Sequence, residues 1–475
     1  MIEREPVRRV GAAWSLLCGA LLLSGCMSFI PGYERPAAPV AAAYAAELLP
    51  VGASGAEAAA EIEWQRYFAD ARLKRLIQIA LVNNRDLRVA ALNIEQARAA
   101  YQVRRADELP TLGGGGTAQR QAGSGGGLAN TYAVGLQVTS FELDFFGRVR
   151  SLSQAALAQF LATDEARKTV QIALVAAVAN THIGLLADDE LLRVTREALQ
   201  TREESFRLTK LKFDAGASSA LDFRQAEQLL EGARAALAQT QRQRALDENA
   251  LVLLLGQSLP TDLPPALPMA AQPALGDLAA GLPSDLLARR PDVRAAEQQL
   301  LAANANIGAA RAAFFPRISL TANAGTASSQ LSGLFQSGSF ALTGSATLLQ
   351  PIFDAGRNQA NLEVAKVNKD IAIAQYEKAI QTAFREVSDA LAGRATLGDQ
   401  LRAQAAQTNA AQVTYKLADL RYRNGASSYL EVLDAQRTLF AAQQALAQVQ
   451  ALLVQNLVTL YKVLGGGWKD GVAAN

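Results

Sequence analysis

The sequence predicts an internally duplicated α+β membrane protein, with four transmembrane β-strands per chain feeding a barrel shared among chains and long antiparallel helical hairpins beyond it. Three observations predict this. The stretch from Leu73 to Gly256 reappears from Leu282 to Gly465 almost free of insertions. Proline is missing between Pro110 and Pro260 and again after Pro351, which leaves helix permitted over very long spans. Short segments of period two flank those spans, polar on one face and apolar on the other.

In its second part the repeat keeps a constant shift of 209 residues, carrying Gly147-Arg148 onto Gly356-Arg357, Gly216 onto Gly425 and Leu255-Gly256 onto Leu464-Gly465. In its first part the shift is 206, taking Arg88 onto Arg294 and Pro110 onto Pro316. The difference falls in the Gly-rich section between Pro110 and Gly147, where a loop changes length at little cost. Two copies of an elongated unit that cannot bury its own faces imply one pseudo-symmetric body, not the two or three globular domains that 475 residues alone would give. A net charge of +2 marks neither a nucleic-acid surface nor a solvated acidic tail. Hydrophobic residues make up 50% of the chain but only 6% is aromatic, a balance that suits alanine-rich packed helices.

Arg4, Arg8 and Arg9 precede an apolar run from Val10 to Leu23, the layout of a signal peptide over residues 1–25. The tetrapeptide Leu23-Ser24-Gly25-Cys26 resembles a bacterial lipobox, in which Cys26 carries lipid and becomes the first residue. Met27 follows it; the aspartate that holds lipoproteins at the inner membrane is absent, which favours the outer one. Cys18 leaves with the signal, so no disulfide forms. Beyond the N-terminus no window is expected to be apolar enough for a transmembrane helix, so a membrane crossing requires a β-barrel.

Residues 26–72 read as a lipid-anchored N-terminal segment. The first repeat, 73–256, reads as a helix, two strands within 111–143 and a helical hairpin over 147–256. A Pro-rich linker follows at 257–281. The second repeat, 282–465, repeats the order with strands within 317–350 and a hairpin over 356–465, and a tail closes the chain at 466–475. In Tyr132–Thr139 the even positions are Tyr, Val, Leu and Val and the odd ones Ala, Gly, Gln and Thr. Phe340–Leu348 repeats the alternation, and Thr111–Gln121 and Arg317–Thr326 carry it more weakly. Strands of about ten residues with one apolar face are the transmembrane-barrel signature. Four strands cannot close a barrel and an open edge is forbidden in lipid. Two chains would give eight strands with a filled interior; three would give twelve and leave a lumen.

Arg148–Phe213 and Arg357–Tyr422 are rich in strong helix formers, and at about 1.5 Å per residue each spans roughly 100 Å. Their charges forbid lipid, so they stand in water side by side. Each ends at a paired turn, Gly216-Ala217-Ser218-Ser219 and Gly425-Ala426-Ser427-Ser428. Glycine suits the left-handed residue that closes a helix and the serines cap the next one, so the chain turns back through Leu221–Leu255 and Leu430–Leu464.

The Cys26 lipobox, the duplicated unit, the Phe145-Phe146-Gly147-Arg148 and Phe353-Asp354-Ala355-Gly356-Arg357 openings of the long helices, and the Tyr-x-x-Gly-x-x-Ser-x-x-Glu-Val-Leu-Asp-Ala-Gln run from Tyr422 to Gln436 together resemble the outer-membrane efflux proteins. The resemblance covers nearly the whole mature chain and is strongest to the lipoprotein branch of OprM-like and NodT-like channels within the TolC-like superfamily. It implies a homotrimer whose twelve-stranded barrel lies in the outer membrane and whose α-barrel crosses the periplasm. It also implies a periplasmic adaptor and an inner-membrane pump, proton-driven, delivering small drug-like molecules for passive export. By matching position, Gly216, Ser219, Gly425 and Ser428 lie where adaptor hairpins dock, and Tyr422, Glu431 and Asp434 are gate residues. Glu431 and Asp434 stand one helical turn apart, and in a trimer three copies of each would ring the pore. Some members carry a basic gate residue where this chain has Ser427.

Enzyme chemistry has no foothold in the sequence. His182 is the single histidine, mid-helix, and reads as a packing residue, which excludes a histidine metal cluster. Gly113–Gly116 and Gly123–Gly127 lack the ending of a phosphate loop. Adjacent acids such as Asp188-Asp189 and Glu203-Glu204 point apart on a helix. No cofactor and no nucleic acid is expected. Two alternatives share part of this reading: a channel for type I protein secretion, and a lipid-tethered periplasmic helical scaffold without a pore.

Overall fold

The computed structural model describes residues 28–45, 47, 58–122, 128–269, 272, 278 and 285–469. The expected signal peptide, the lipidation residue Cys26, the glycines of 123–127, part of the 257–281 linker and residues 470–475 of the tail lie outside the described residues.

Helices α1 (Ala71–Asn83) and α2 (Arg85–Ala106) lead into strands β1 (Leu112–Ala122) and β2 (Leu128–Leu143), then helices α3 (Arg148–Asp214) and α4 (Ala220–Leu255). The second copy runs α5 (Asp285–Arg289), α6 (Pro291–Ala312), β3 (Arg317–Ser328), β4 (Phe340–Leu349), α7 (Arg357–Arg423) and α8 (Tyr429–Val463). Two compact units are distinguished. One holds the described residues of Met1–Ala37, Asn93–Asp164 and Ala295–Glu377, the other those of Ala38–Leu92, Glu165–Arg294 and Lys378–Asn475.

Each repeat opens on two helices where one was expected. Asn84 interrupts the first, its Oδ1 accepting from the Leu87 N–H at 3.0 Å while its Nδ2 donates to the Leu254 carbonyl at 2.9 Å. In the second copy Pro291 begins α6, where a missing N–H costs nothing, and Arg290 donates to the Val463 carbonyl at 3.1 Å. Asn84 and Arg290 are repeat partners, as are Leu254 and Val463. The pseudo-symmetry therefore extends to single hydrogen bonds. Gly256 and Gly465 close the hairpins with φ of +68° and +87°, and a Cβ on either would strike the carbonyl of Asn83 or Arg289.

The strands form one antiparallel sheet in the order β1-β2-β3-β4. Gly114, Leu136, Ala324 and Leu342 align across one face, and the adjacent row Gly113, Gln137, Asn323 and Thr343 aligns on the other. The apolar and polar faces therefore run coherently through all four strands. Gly135 faces Gly325, and a Cβ on either would collide with the neighbouring strand. β2 runs past the Thr139 end of the expected alternation because a bulge resets its phase: Val138 pairs with Ala322 but Phe141 with Leu320, with Ser140 between them at φ +53°. The reset keeps Phe141 and Leu143 on the apolar face and turns Glu142 to the polar one. There Glu142 meets Arg148 at 2.6 Å and Arg317 at 3.1 Å.

In the same unit the N-terminal segment is strapped along α6. Arg311 and Asn304 donate to the carbonyls of Phe29 and Pro31, and Arg35 grips Glu297 with two bonds of 2.7 and 2.9 Å. The Phe29 ring stacks on Phe315, which stacks on Phe146, at 4.6 and 4.9 Å between centroids.

One expectation needs correction in the other unit. Residues 169–187 contain no Asp, Glu, Lys or Arg and are apolar enough to cross a membrane. Burial explains that stretch, since Val175, Val178, Ala179 and Ile183 lie in the packed core of α3. His182 is indeed buried in packing, and it also bonds the fully buried Asp70 at 3.0 Å, where Gln272 adds another 3.0 Å contact and the Arg72 N–H is capped at 2.8 Å.

Candidate functional site

The two helical turns lie in one unit, and their backbones match. Gly216 and Gly425 adopt φ of +72° and +70°, and nothing lies within 4 Å of where a Cβ would project from either. Glycine is needed there for its left-handed backbone alone. Gly216, Ser219, Gly425 and Ser428 are all exposed.

The serines differ. Ser219 caps α4 in a reciprocal box: its Oγ accepts from the Asp222 N–H at 3.0 Å, and the Asp222 carboxylate accepts from the Ser219 N–H at 3.3 Å. Ser428 occupies the same backbone position before α8, yet its side chain makes no capping bond. The expected pair of serine caps is therefore present once.

Tyr422 is half-buried against the core formed by Ala226, Leu229, Ala418, Tyr429, Val432 and Leu433. Its ring lies 5.2 Å from that of Tyr429, whose phenol is pushed up by burial. Its hydroxyl accepts from Lys212 Nζ at 2.8 Å, and the same ammonium sits 4.5 Å from the Tyr422 ring centroid. This contact ties α3 to α7, and so links the first hairpin to the second.

Glu431 is exposed and pairs with Arg421 at 3.6 Å. Asp434, one turn on, is exposed and makes no ion pair among the described residues. The structure thus brings Tyr422 to Lys212 and Glu431 to Arg421, while leaving Asp434 open. Sequence reasoning missed both bases, although a signal existed: the 209 shift carries Lys212 onto Arg421, each directly before an aromatic residue, Phe213 or Tyr422.

A duplicated unit of strand hairpin plus long helical hairpin, with a continuous apolar sheet face, defines the class of TolC-like outer-membrane channels. The family model for outer membrane efflux proteins matches residues 76–257 and 282–466, and the chain belongs to that family. It is 49% identical over 465 residues to an antibiotic efflux pump outer membrane protein of Pseudomonas putida, ArpC, covering 96% of each chain. It is equally similar to the toluene efflux pump outer membrane protein TtgC of Pseudomonas putida, at 49% identity and 96% of each chain. Among solved structures, the open state of the Neisseria gonorrhoeae MtrE outer membrane channel superposes with a TM-score of 0.86 at 41% identity, covering 93% of this chain and 99% of that one.

Proposed function

We propose that this chain trimerises into an outer-membrane channel that passively conducts small organic molecules out of the cell, with no catalytic step, cofactor or nucleic acid. The observation that carries the proposal is the sheet. Its strands share one apolar face, while its edges, β1 and β4, each have one neighbour within the chain. Lipid does not tolerate such edges, and three copies joined edge to edge close twelve strands around a polar lumen.

Cys26 carries the lipid in this reading. Only Met27 and Ser28 separate it in sequence from Phe29, whose ring stacks on Phe315. Aromatic clusters favour the membrane interface, which supports an anchor in the periplasmic leaflet. The exposed turns at Gly216, Ser219, Gly425 and Ser428 receive a periplasmic adaptor, and Tyr422, Glu431 and Asp434 form the gate above them. A proton-driven inner-membrane pump selects the cargo. The names of relatives that handle antibiotics and toluene support small molecules as that cargo.

Native mass spectrometry and planar-bilayer recording on protein extracted from membranes test this. Trimers with small, voltage-gated currents are expected. A silent monomer or dimer would remove the channel and leave a tethered scaffold.

A further inference from the structure

The seam between α3 and α8 holds a buried cation that the gate does not use. Arg202 is only 7% exposed. One of its N–H groups reaches the Leu229 carbonyl at 3.3 Å, and its guanidinium lies 4.9 Å from the Phe440 ring centroid. No carboxylate pairs with it among the described residues. Arginine presents five donors and does not shed its proton, so a buried one with a single carbonyl partner is strongly underused. Burial, and then the neighbouring positive charge of Arg437, disfavour the guanidinium's charged form.

Beside it lies a cavity of about 150 Å³ between α3, α7 and α8, all within one unit. Thr201, Gln412, Tyr415, Gln436 and Gln443 give it polar walls, while Leu439 and Phe440 give it an apolar end. Gln436 is itself buried. Its Nε2 donates to Ser205 Oγ at 3.3 Å and its Oε1 has no partner. Glu197 lines the rim, but its carboxylate is held by Arg193 at 2.6 Å.

We propose that this cavity binds a small organic carboxylate of about the size of benzoate. A space of roughly 150 Å³ accommodates a benzene ring. The planar guanidinium fork matches a carboxylate with two parallel bonds, and the apolar end takes the hydrocarbon. The bound anion replaces the missing counter-charge and ties α3 to α8, joining the two hairpins well above the turn at Gly216.

Isothermal titration of the full-length protein in detergent with sodium benzoate, at fixed chloride, tests the site. Saturable binding of one benzoate per chain is expected, with none for the neutral isostere benzamide. Arg202→Met should abolish the binding. Ala198→Glu, which sets a carboxylate one turn before Arg202 on the cavity wall, should weaken benzoate at least tenfold and decides the matter if the methionine variant fails to assemble. Equal binding of benzamide, undiminished benzoate binding in both variants, or no saturable binding to the parent protein would each overturn the assignment. None of these outcomes alters the conductance measurement, so the site and the channel stand or fall separately.

Discussion

Substituting Tyr422 with phenylalanine removes one hydroxyl and nothing else from the link between the two hairpins. The lost bond runs from a charged donor at 2.8 Å, a type worth about 1.5–3 kcal/mol when shielded. Lys212 is exposed, so solvent screening reduces this to roughly 0.5–1.5 kcal/mol per chain. In a trimer the three links act on one gate, and their combined loss of about 1.5–4.5 kcal/mol shifts the closed-to-open ratio by roughly one to three powers of ten. Lys212→Met should go further, because it also removes the ammonium from the Tyr422 ring face, a contact worth about 0.5–1 kcal/mol at an exposed site. The assay is single-channel open probability, with thermal unfolding measured alongside. The double variant should open no more than Lys212→Met alone, since both changes cut one link. Unchanged open probability in both single variants would refute the link as a gate element. Additive effects in the double variant would show the two residues acting apart.

Three further outcomes follow from the same geometry. Alanine at Asp434, which has no ion-pair partner among the described residues, should weaken cation preference more than alanine at Glu431, which Arg421 already offsets; replacing both should raise conductance, and unchanged reversal potentials and currents would remove the acids from the pore. Ser219→Ala should lower stability by about 1 kcal/mol through the lost cap while Ser428→Ala changes it by no more than a few tenths, a contrast readable by calorimetry. Asp70 is held down from 3.8 to about 2: burial pushes its carboxyl up, but hydrogen bonds from His182 and Gln272 outweigh it. The folded value is the lower one, so this stabilisation is complete above about pH 4 and fades as pH falls toward 2. Its size is about 2 kcal/mol, and Asp70→Asn should flatten the stability profile across that window while a retained acid slope would reassign it.

Much of the fold was legible because it rests on local rules. The glycine turns mark where the long helices stop, and these end within one residue of the expected Phe213 and Tyr422. Alternation located every strand, since one apolar face in lipid imposes period two. The bulge was written as a phase change, with apolar residues at even positions through Val138 and odd ones at Phe141 and Leu143. The break at Asn84 was not legible, because it depends on the Leu254 carbonyl, distant in sequence. Arg202 was no more legible, and Lys212 was marked only by the shift that carries it onto Arg421. Each is one of many exposed-looking bases on a long helix, and only the helix packed beside it shows that one meets Tyr422 and the other lies buried beside Phe440.

Duplication supplies two equal turns, and side-chain chemistry then divides their work. Asp222 and Glu431 are repeat partners, but Asp222 is held by its own N-cap serine and is spent on fixing the start of α4. Because Ser428 makes no such bond, Glu431 is released to reach back to Arg421 across the turn. In the three residues that follow, the first copy has Phe223-Arg224-Gln225 where the second has Val432-Leu433-Asp434, so the free acid also belongs to the second copy. Phe223 stacks on Phe213 at 5.1 Å and packs against Phe206 at the first turn, and at the second turn Tyr422 packs against Tyr429 and also meets a lysine. The acid of the first turn is therefore spent on a cap, while the acid and the tyrosine of the second turn make exposed polar contacts beside a shared apolar core. In the trimeric channel proposed above, exposed bonds at the second turn are ones a docking partner could exchange. Interchanging the acids, with Asp222→Ala and Gln225→Asp in the first copy, should therefore destabilise α4 without creating a second selective ring.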